Sequence, residues 1–366
     1  MSTGGTQNRF VLLDGLRGLA ALAVLSFHAV VVTDYQYLDS FYLFVDFFFV
    51  LSGFVLFPSL PQSFKGFGRT SGRFVLNRIL RFWPMLIAVV ALIWVLYRIG
   101  QSTEFAQPDP NYSDETFVQA FFLTQLFNAG AIGMNWALWS LSAEWFGNLT
   151  YIPLTAIKNN IGIVVGIVLG YVALCYGLNT DKEFIGDSWS TGSGPIAHWE
   201  AYGRMMAEFG FGLLIRKYLP QLTKFRSHWM FIASIGIAVA LLVSHSFFQE
   251  DTVYWTTYFA GPVFAFLILQ ASAYNPSVDG WLGSSLSWLG KMSFGIYAYH
   301  VVILIAFTQI VPQPDEFPNF GSSVWASFLL TKIVTCSLIA IVLAYQTNRL
   351  VEGPIQRLGR RALKRL

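Results

Sequence analysis

Apolar runs of about 20 residues recur along nearly the whole of this chain, and that is the length a helix needs to cross a bilayer. Lipid offers no hydrogen bonds to a backbone, so only helices or a closed barrel can cross it. The runs are continuous and do not alternate, which selects helices. Composition agrees. The 366 residues are 55% hydrophobic and 12% charged, with a mean hydropathy of +0.53, against about 25% charged in a soluble domain. The expected fold is all-α: a polytopic bundle of about ten transmembrane helices, one domain over residues 1–366. The expected spans are 11–33, 41–59, 82–99, 134–157, 160–178, 200–216, 229–248, 253–272, 290–311 and 323–347. The stretch 117–127 is too short to cross and is expected to be re-entrant or interfacial. Cys175 and Cys336 both fall in apolar runs, which suggests neither a disulfide framework nor a metal site. Polar residues interrupt the first run and no clear small-residue cleavage site follows, so it reads as a retained helix and not a signal peptide.

Basic residues orient the bundle. With both termini in the cytoplasm, Arg9 and Arg17, the group Lys65 to Arg81, Lys158, the group Arg216 to Arg226, Lys291 and the tail from Arg349 to Arg365 all fall inside. The opposite loops hold Glu104, Asp109, Asp114, Glu115, Asp181, Glu183, Asp187, Glu250, Asp251, Asp315 and Glu316.

The first span, VLLDGLRGLAALAVLSFHAVVV, carries Asp14, Arg17 and His28. Ionisable groups in hydrocarbon cost several kcal/mol unless paired or lining a wet cavity, so each marks a functional site by default. Arg17 and His28 lie about three helical turns apart and face the same way. Asp46, in FVDFFFVLSGFVL, is as far after Tyr37 as His28 is before it. Equal spacing from one hairpin turn predicts that the two lie level, about 13 Å in from the turn. A carboxylate beside an imidazole raises its basicity and fixes its tautomer, as a general base requires. The plainer reading is a buried His–Asp tie between two helices.

Arg78 and Arg81 sit one helical turn apart at the expected start of the third span. Such a pair can clamp a phosphate; basic residues at a cytoplasmic helix end are also what topology demands. Glu144, in WALWSLSAEWF, is expected near the depth of His28 and Asp46, where it holds an acceptor hydroxyl or pairs with an arginine. The tryptophans around it, Trp139 and Trp145 among them, are either a sugar-stacking surface or an interfacial belt. His300, one turn after Tyr297, either lines the same cavity or is structural. Arg204 and Glu208, four apart, are expected to neutralise one another.

Taken together and in this order, these motifs resemble the integral-membrane acyltransferase-3 family, whose members O-acylate carbohydrates and related acceptors. The likeness is carried by LDGLRGLAALAVLSFH (Arg17 and His28), FVDFFFVLSGFVL, the Arg-x-x-Arg pattern at Arg78 and Arg81, WSLSAEWF at Glu144, SFGIYAYH at His300 and VEGP at Glu352. It runs over essentially the whole chain. It implies an acyl-CoA donor, a ten-helix bundle, His28 as the catalytic residue, and Arg17, Arg78 and Arg81 as donor-site residues. Glu144-Trp-Phe-Gly-Asn departs from the more usual acid-x-x-Phe-Tyr ending. Many relatives append an extracellular SGNH-type hydrolase-like domain; a stand-alone form, acting alone or with a separate partner, is expected here.

The expected reaction draws acyl-CoA, acetyl-CoA above all, from the cytoplasm onto the arginines. His28, braced by Asp46 with Glu144 nearby, takes a proton from a hydroxyl of a carbohydrate or glycolipid, and the alkoxide attacks the thioester. Trp139, Trp145 and His300 are the expected acceptor-binding residues. No metal and no nucleic acid are expected. Membrane lipids are partners, a homo-oligomer stays open, and the expected location is the bacterial inner membrane. The competing class is a solute transporter or lipid flippase using the same buried charges; internal inverted repeats would favour it, and none is evident. A third reading is a non-catalytic membrane partner of polysaccharide synthesis, which binds no acyl-CoA.

Overall fold

The computed structural model describes residues 10–31, 36–102, 113–127, 135–180, 199–247, 255–274, 276–277, 280–311 and 323–363. Among the described residues all regular structure is helical. A helix lies over every expected span: α1 Val11–Val31, α2 Phe44–Leu56, α3 Phe67–Ser102, α5 Trp139–Ala156, α6 Ile161–Thr180, α7 Trp199–Leu222, α8 His228–Phe247, α9 Trp255–Ala271, α10 Trp281–Ile310 and α11 Ser323–Thr347. Two further short helices among the described residues are α4 Asp114–Phe122, which overlaps the stretch 117–127, and α12 Gly353–Leu363. Among the described residues six stretches are long and apolar enough to cross a membrane: Val11–Val30, Leu38–Ser59, Phe67–Ile99, Lys158–Tyr176, Trp281–Ile310 and Ser323–Leu363. Shorter apolar helices cover His228–Ser244 and Trp255–Ala271. Helices α5 and α7 are outside that group. They carry Glu144, and Glu200, Arg204 and Glu208. The loop acids Glu104, Asp109, Asp181, Glu183, Asp187, Glu250, Asp251, Asp315 and Glu316, together with Arg9, Lys364 and Arg365, lie outside the described residues.

Helix α3 starts well before the expected position 82. An apolar run bounds the part of a helix that lipid can cover, not the helix itself. The residue just before α3 is Gly66, whose φ of 68° is left-handed and suits glycine. Arg78 and Arg81 are therefore interior residues of a long helix, and Arg78 is buried.

Helix α1 packs chiefly on α10 and not on its hairpin partner α2, whose own main neighbour is α7. Helices α1 and α10 run parallel, since Arg17 meets Gly290 and Ser293 while His28 meets His300. Without water between helices, association rests on close backbone approach, and small residues permit it. A Cβ at Gly15 or Gly18 would strike Leu286 or Leu289, one at Gly290 the backbone of Asp14, and one at Gly53 the backbone of Phe209.

Gly53→Ala should therefore force α2 off α7 and cost about 1–3 kcal/mol by overpacking. Gly236→Ala, in α8 where a Cβ meets nothing within 4 Å, should not destabilise. Thermal unfolding of the detergent-solubilised variants checks both; equal melting temperatures would contradict the close packing.

Candidate active site

Helices α1, α2, α3, α5 and α10 enclose a cavity of about 130 Å³. Three guanidinium side chains line it, Arg17, Arg78 and Arg81, with Glu144, Ser52, Ser140, Ser293 and Tyr297. Phe48, Phe49, Leu51, Phe82 and Leu141 supply apolar wall.

The arginines differ in what neutralises them. Arg78 Nη2 donates to Glu144 Oε1 at 2.6 Å, the same oxygen that takes a 2.5 Å hydrogen bond from Ser52 Oγ. Its guanidinium also lies 4.0 Å over the Phe82 ring. Arg81 pairs with Glu352, which is held in turn by Asn348 Nδ2 at 3.2 Å and Gln356 Nε2 at 2.8 Å. Arg17 makes its hydrogen bonds to neutral groups, Nε to Ser293 Oγ at 2.9 Å and Nη2 to the Gly290 carbonyl at 2.6 Å. The Arg78/Arg81 pair is thus no vacant clamp at an exposed mouth. Each member answers a carboxylate from another element, whereas Arg17, among the described residues, hydrogen-bonds neutral groups and feels the carboxylates of Asp14, Glu144 and Glu352 only through space.

Glu144 is likewise displaced from its expected level. The chain enters α5 through a single turn, Trp136–Leu138, and Trp136 is the residue that reaches the histidine. Its ring lies 4.3 Å from that of His28, edge to face. Ser140, one turn on, meets Tyr297, and Glu144 meets Arg78.

His28 and His300 are brought together, with Nδ1 of His28 2.8 Å from Nε2 of His300. The other ring nitrogen of His300, Nδ1, bonds the Tyr297 carbonyl. A carbonyl only accepts, so in the neutral pair His300 Nδ1 carries the hydrogen and His300 Nε2 is an acceptor. Nδ1 of His28 must then donate, which leaves Nε2 of His28 with a bare lone pair. A histidine held in one tautomer with one nitrogen open is what a general base requires. The pair does not line the arginine cavity. Tyr297, which does, stands one turn before His300 on α10, its hydroxyl 2.6 Å from Ser140 Oγ and 2.9 Å from the Ala137 carbonyl.

Asp46 does not meet His28. It takes two hydrogen bonds from Arg204 on α7, Nε to Oδ1 at 2.9 Å and Nη2 to Oδ2 at 2.5 Å, with both side chains fully buried. Equal spacing from a turn fixes a level but not a facing direction. Asp46 faces α7, α2's main neighbour, and His28 faces α10. Arg204 is therefore spent on Asp46, and the expected Arg204–Glu208 neutralisation gives way to a cluster in which Glu208 lies beside Asp46. The two tryptophans also serve packing. Trp139 meets Phe49 at 6.4 Å and the Arg204 guanidinium at 5.7 Å, and Trp145 meets Trp83 at 5.0 Å. Neither lines the cavity. Ser52, Ser140 and Ser293 had no distinguishing signal in the sequence. Tyr297 sits in SFGIYAYH and Glu352 in VEGP, motifs that marked a position but no partner. Among the described residues, no three His, Cys, Asp or Glu side chains converge as a metal would need.

A family model described as "Acyltransferase domain", Acyl_transf_3, matches residues 10–345. The chain belongs to this acyltransferase family. Curated relatives are distant. The "Putative peptidoglycan O-acetyltransferase YrhL" of Bacillus subtilis (strain 168) is 24% identical over 384 residues, covering 96% of this chain and 56% of that protein. The "Putative membrane-bound transacylase BcsY" of Komagataeibacter xylinus is 25% identical over 365 residues, 93% of this chain and 83% of its own. "Protein 2 in picA locus" of Rhizobium radiobacter is 40% identical over 99 residues, 26% of this chain and 51% of that protein. The chain thus spans about half the length of YrhL, and its match to the picA-locus protein covers about half of that one. No solved structure matches the chain significantly. Membership places the chain among the acyltransferases.

Two outcomes follow for the acyltransferase. Asp46→Asn should strand the Arg204 charge in the bundle and cost about 3–5 kcal/mol of stability. Asp46→Leu combined with Arg204→Met should recover most of it, read by thermal unfolding and monodispersity in detergent. An Asp46→Asn protein of native stability would remove the ion pair from the fold. His300→Ala should free the His28 ring to change tautomer and lower kcat about 10²-fold, with KM for the acyl donor unchanged and little further loss in a His28→Ala background.

Proposed function

We propose that this acyltransferase moves an acyl group, acetyl above all, from cytoplasmic acyl-CoA to a hydroxyl of a carbohydrate or glycolipid, with His28 as the general base. One observation carries the reading: a cavity with three arginines and apolar walls is lined by Tyr297, one helical turn before His300, and His300 pairs with a His28 whose Nε2 has no hydrogen-bond partner among the described residues. The relatives' names favour an acetyl donor group and, for YrhL, a peptidoglycan acceptor.

Arg17 takes the first phosphate oxygens, because its hydrogen-bond partners Ser293 and Gly290 are neutral and yield without leaving a carboxylate unpaired. Arg78 and Arg81 join by sharing or exchanging Glu144 and Glu352. Phe48, Phe49 and Phe82 cover the acyl-donor arm, and Tyr297 turns aside to admit the thioester. His28 Nε2 removes the acceptor hydroxyl's proton, and the resulting alkoxide attacks the thioester carbonyl. The C–S bond breaks, and the His28 proton goes to the departing thiolate. His300 holds the resulting imidazolium through its bare Nε2. In this reading ten helices cross the membrane with both termini in the cytoplasm. The parallel packing of α1 on α10 supports it, since both are odd-numbered spans. A bacterial inner membrane is the proposed location.

The test is transfer of labelled acetyl from acetyl-CoA to surface-glycan fragments by the purified protein in nanodiscs. His28→Ala should abolish transfer in a protein that still folds; undiminished turnover overturns the assignment. Arg17→Ala should raise KM for acetyl-CoA about 10-fold or more, as the loss of a charged hydrogen bond implies. Activity should fall on the acid side of imidazole titration, because a protonated Nε2 has no lone pair to accept the acceptor's proton. Mass spectrometry of surface glycans with and without the gene identifies the acceptor.

A further inference from the structure

Helix α12, GPIQRLGRRAL, is far too short to cross a membrane, yet it directly follows the membrane-length α11 through the turn Asn348–Glu352. Its residues sort cleanly at 100° each. Ile355, Leu358 and Ala362 fall on one side, and Arg357, Arg360 and Arg361 on the opposite side. All six are exposed. Leu358 is 64% exposed, and Leu350 just before the helix is 69% exposed. The helix is nonetheless fixed along one edge, where a Cβ at Gly359 would strike the Leu80 side chain of α3 and where Leu363 is buried.

We propose that α12 is an interfacial helix whose arginines bind the headgroups of anionic phospholipid. A helix that presents bare leucine on one side and bare arginine on the other matches a boundary that is apolar below and negative above. A second protein chain could cover one side, but no single protein face meets both. The position agrees: α12 leaves the end of a membrane-length helix, so its apolar side has acyl chains within reach. The seating also bears on the cavity. Glu352, which holds Arg81, immediately precedes α12, and Gln356 of α12 donates to Glu352.

The test places an environment-sensitive fluorophore at Leu358→Cys in a Cys175→Ala background of the full chain. The protein is reconstituted in nanodiscs of phosphatidylcholine alone or of phosphatidylcholine with phosphatidylglycerol. Expected is a blue-shifted probe whose quenching by shallow spin-labelled lipid rises about twofold with phosphatidylglycerol. High salt should remove the increment, since screening acts on exposed charge, and so should Arg357→Gln with Arg360→Gln and Arg361→Gln. A water-like probe in both membranes overturns the proposal. So does quenching that is equal in the two lipids and indifferent to salt, which needs no anionic headgroup. A blue-shifted probe that no lipid quenches also overturns it, because a protein surface then covers the apolar side. The salt arm needs no arginine variant. Acetyl-transfer assays play no part, so failure here leaves the proposed activity standing.

Discussion

A charge in the middle of a bilayer must find its counterpart at its own depth, and this bundle is organised around that requirement. Asp46 on α2 and Arg204 on α7 meet with two hydrogen bonds in a fully buried setting. Glu144 on α5 meets Arg78 on α3, and Arg81 on α3 meets Glu352 beyond α11. Each pair joins helices that are distant in sequence, so each fixes a neighbour relation that apolar packing alone would leave loose. Lipid tails are as apolar as leucine and give helices little reason to choose one partner over another. The ion pairs and the glycine contacts make that choice.

The pairs fall into two groups with different consequences. Asp46–Arg204 is sealed and lies away from the cavity; its role is to hold α2 against α7. Arg78, Glu144 and Arg81 line the cavity wall, with Arg78 and Glu144 only 11% and 17% exposed and Arg81 27%, while Glu352 is buried behind Arg81. These two pairs keep a strongly basic cavity close to neutral while it is empty, and they keep two guanidiniums desolvated and aimed. Arg17 adds a third charge whose hydrogen bonds go to a hydroxyl and a carbonyl. Positive charge of this kind attracts a polyanion, and the neighbouring carboxylates limit what an empty site costs the fold.

Much of this was legible in the sequence because apolar runs report directly on lipid contact. A helix lies over each of the ten expected segments, and the polar residues singled out in or beside them, Arg17, His28, Arg78, Arg81, Glu144 and His300, gather around α1 and α10. What the sequence hid was partnership. Counting from the turn near Tyr37 gives Asp46 and His28 a common level, but the direction of each side chain depends on which helix packs where. Arg204 lies 158 positions from Asp46, and nothing local couples them. The depth of Arg78 was hidden for a related reason. The apolar run begins after it, whereas the helix begins at Phe67, so the arginine looked like a cap and is an interior residue.

The replacement of Asp46 by His300 as the partner of His28 changes the chemistry and not only the geometry. A carboxylate would hold a protonated imidazole by charge, and would carry a full negative charge into the reaction centre. A neutral imidazole imposes a tautomer by hydrogen bonding while adding no charge. Its own orientation is set by the Tyr297 carbonyl, one turn earlier on the same helix. That carbonyl belongs to the residue whose hydroxyl meets Ser140 in the cavity wall. The direction of the lone pair on His28 and the position of that wall therefore rest on one turn of α10. Since α1 lies along α10 through Gly15, Gly18 and Gly290, a shift of that turn carries His28 and the cavity wall together.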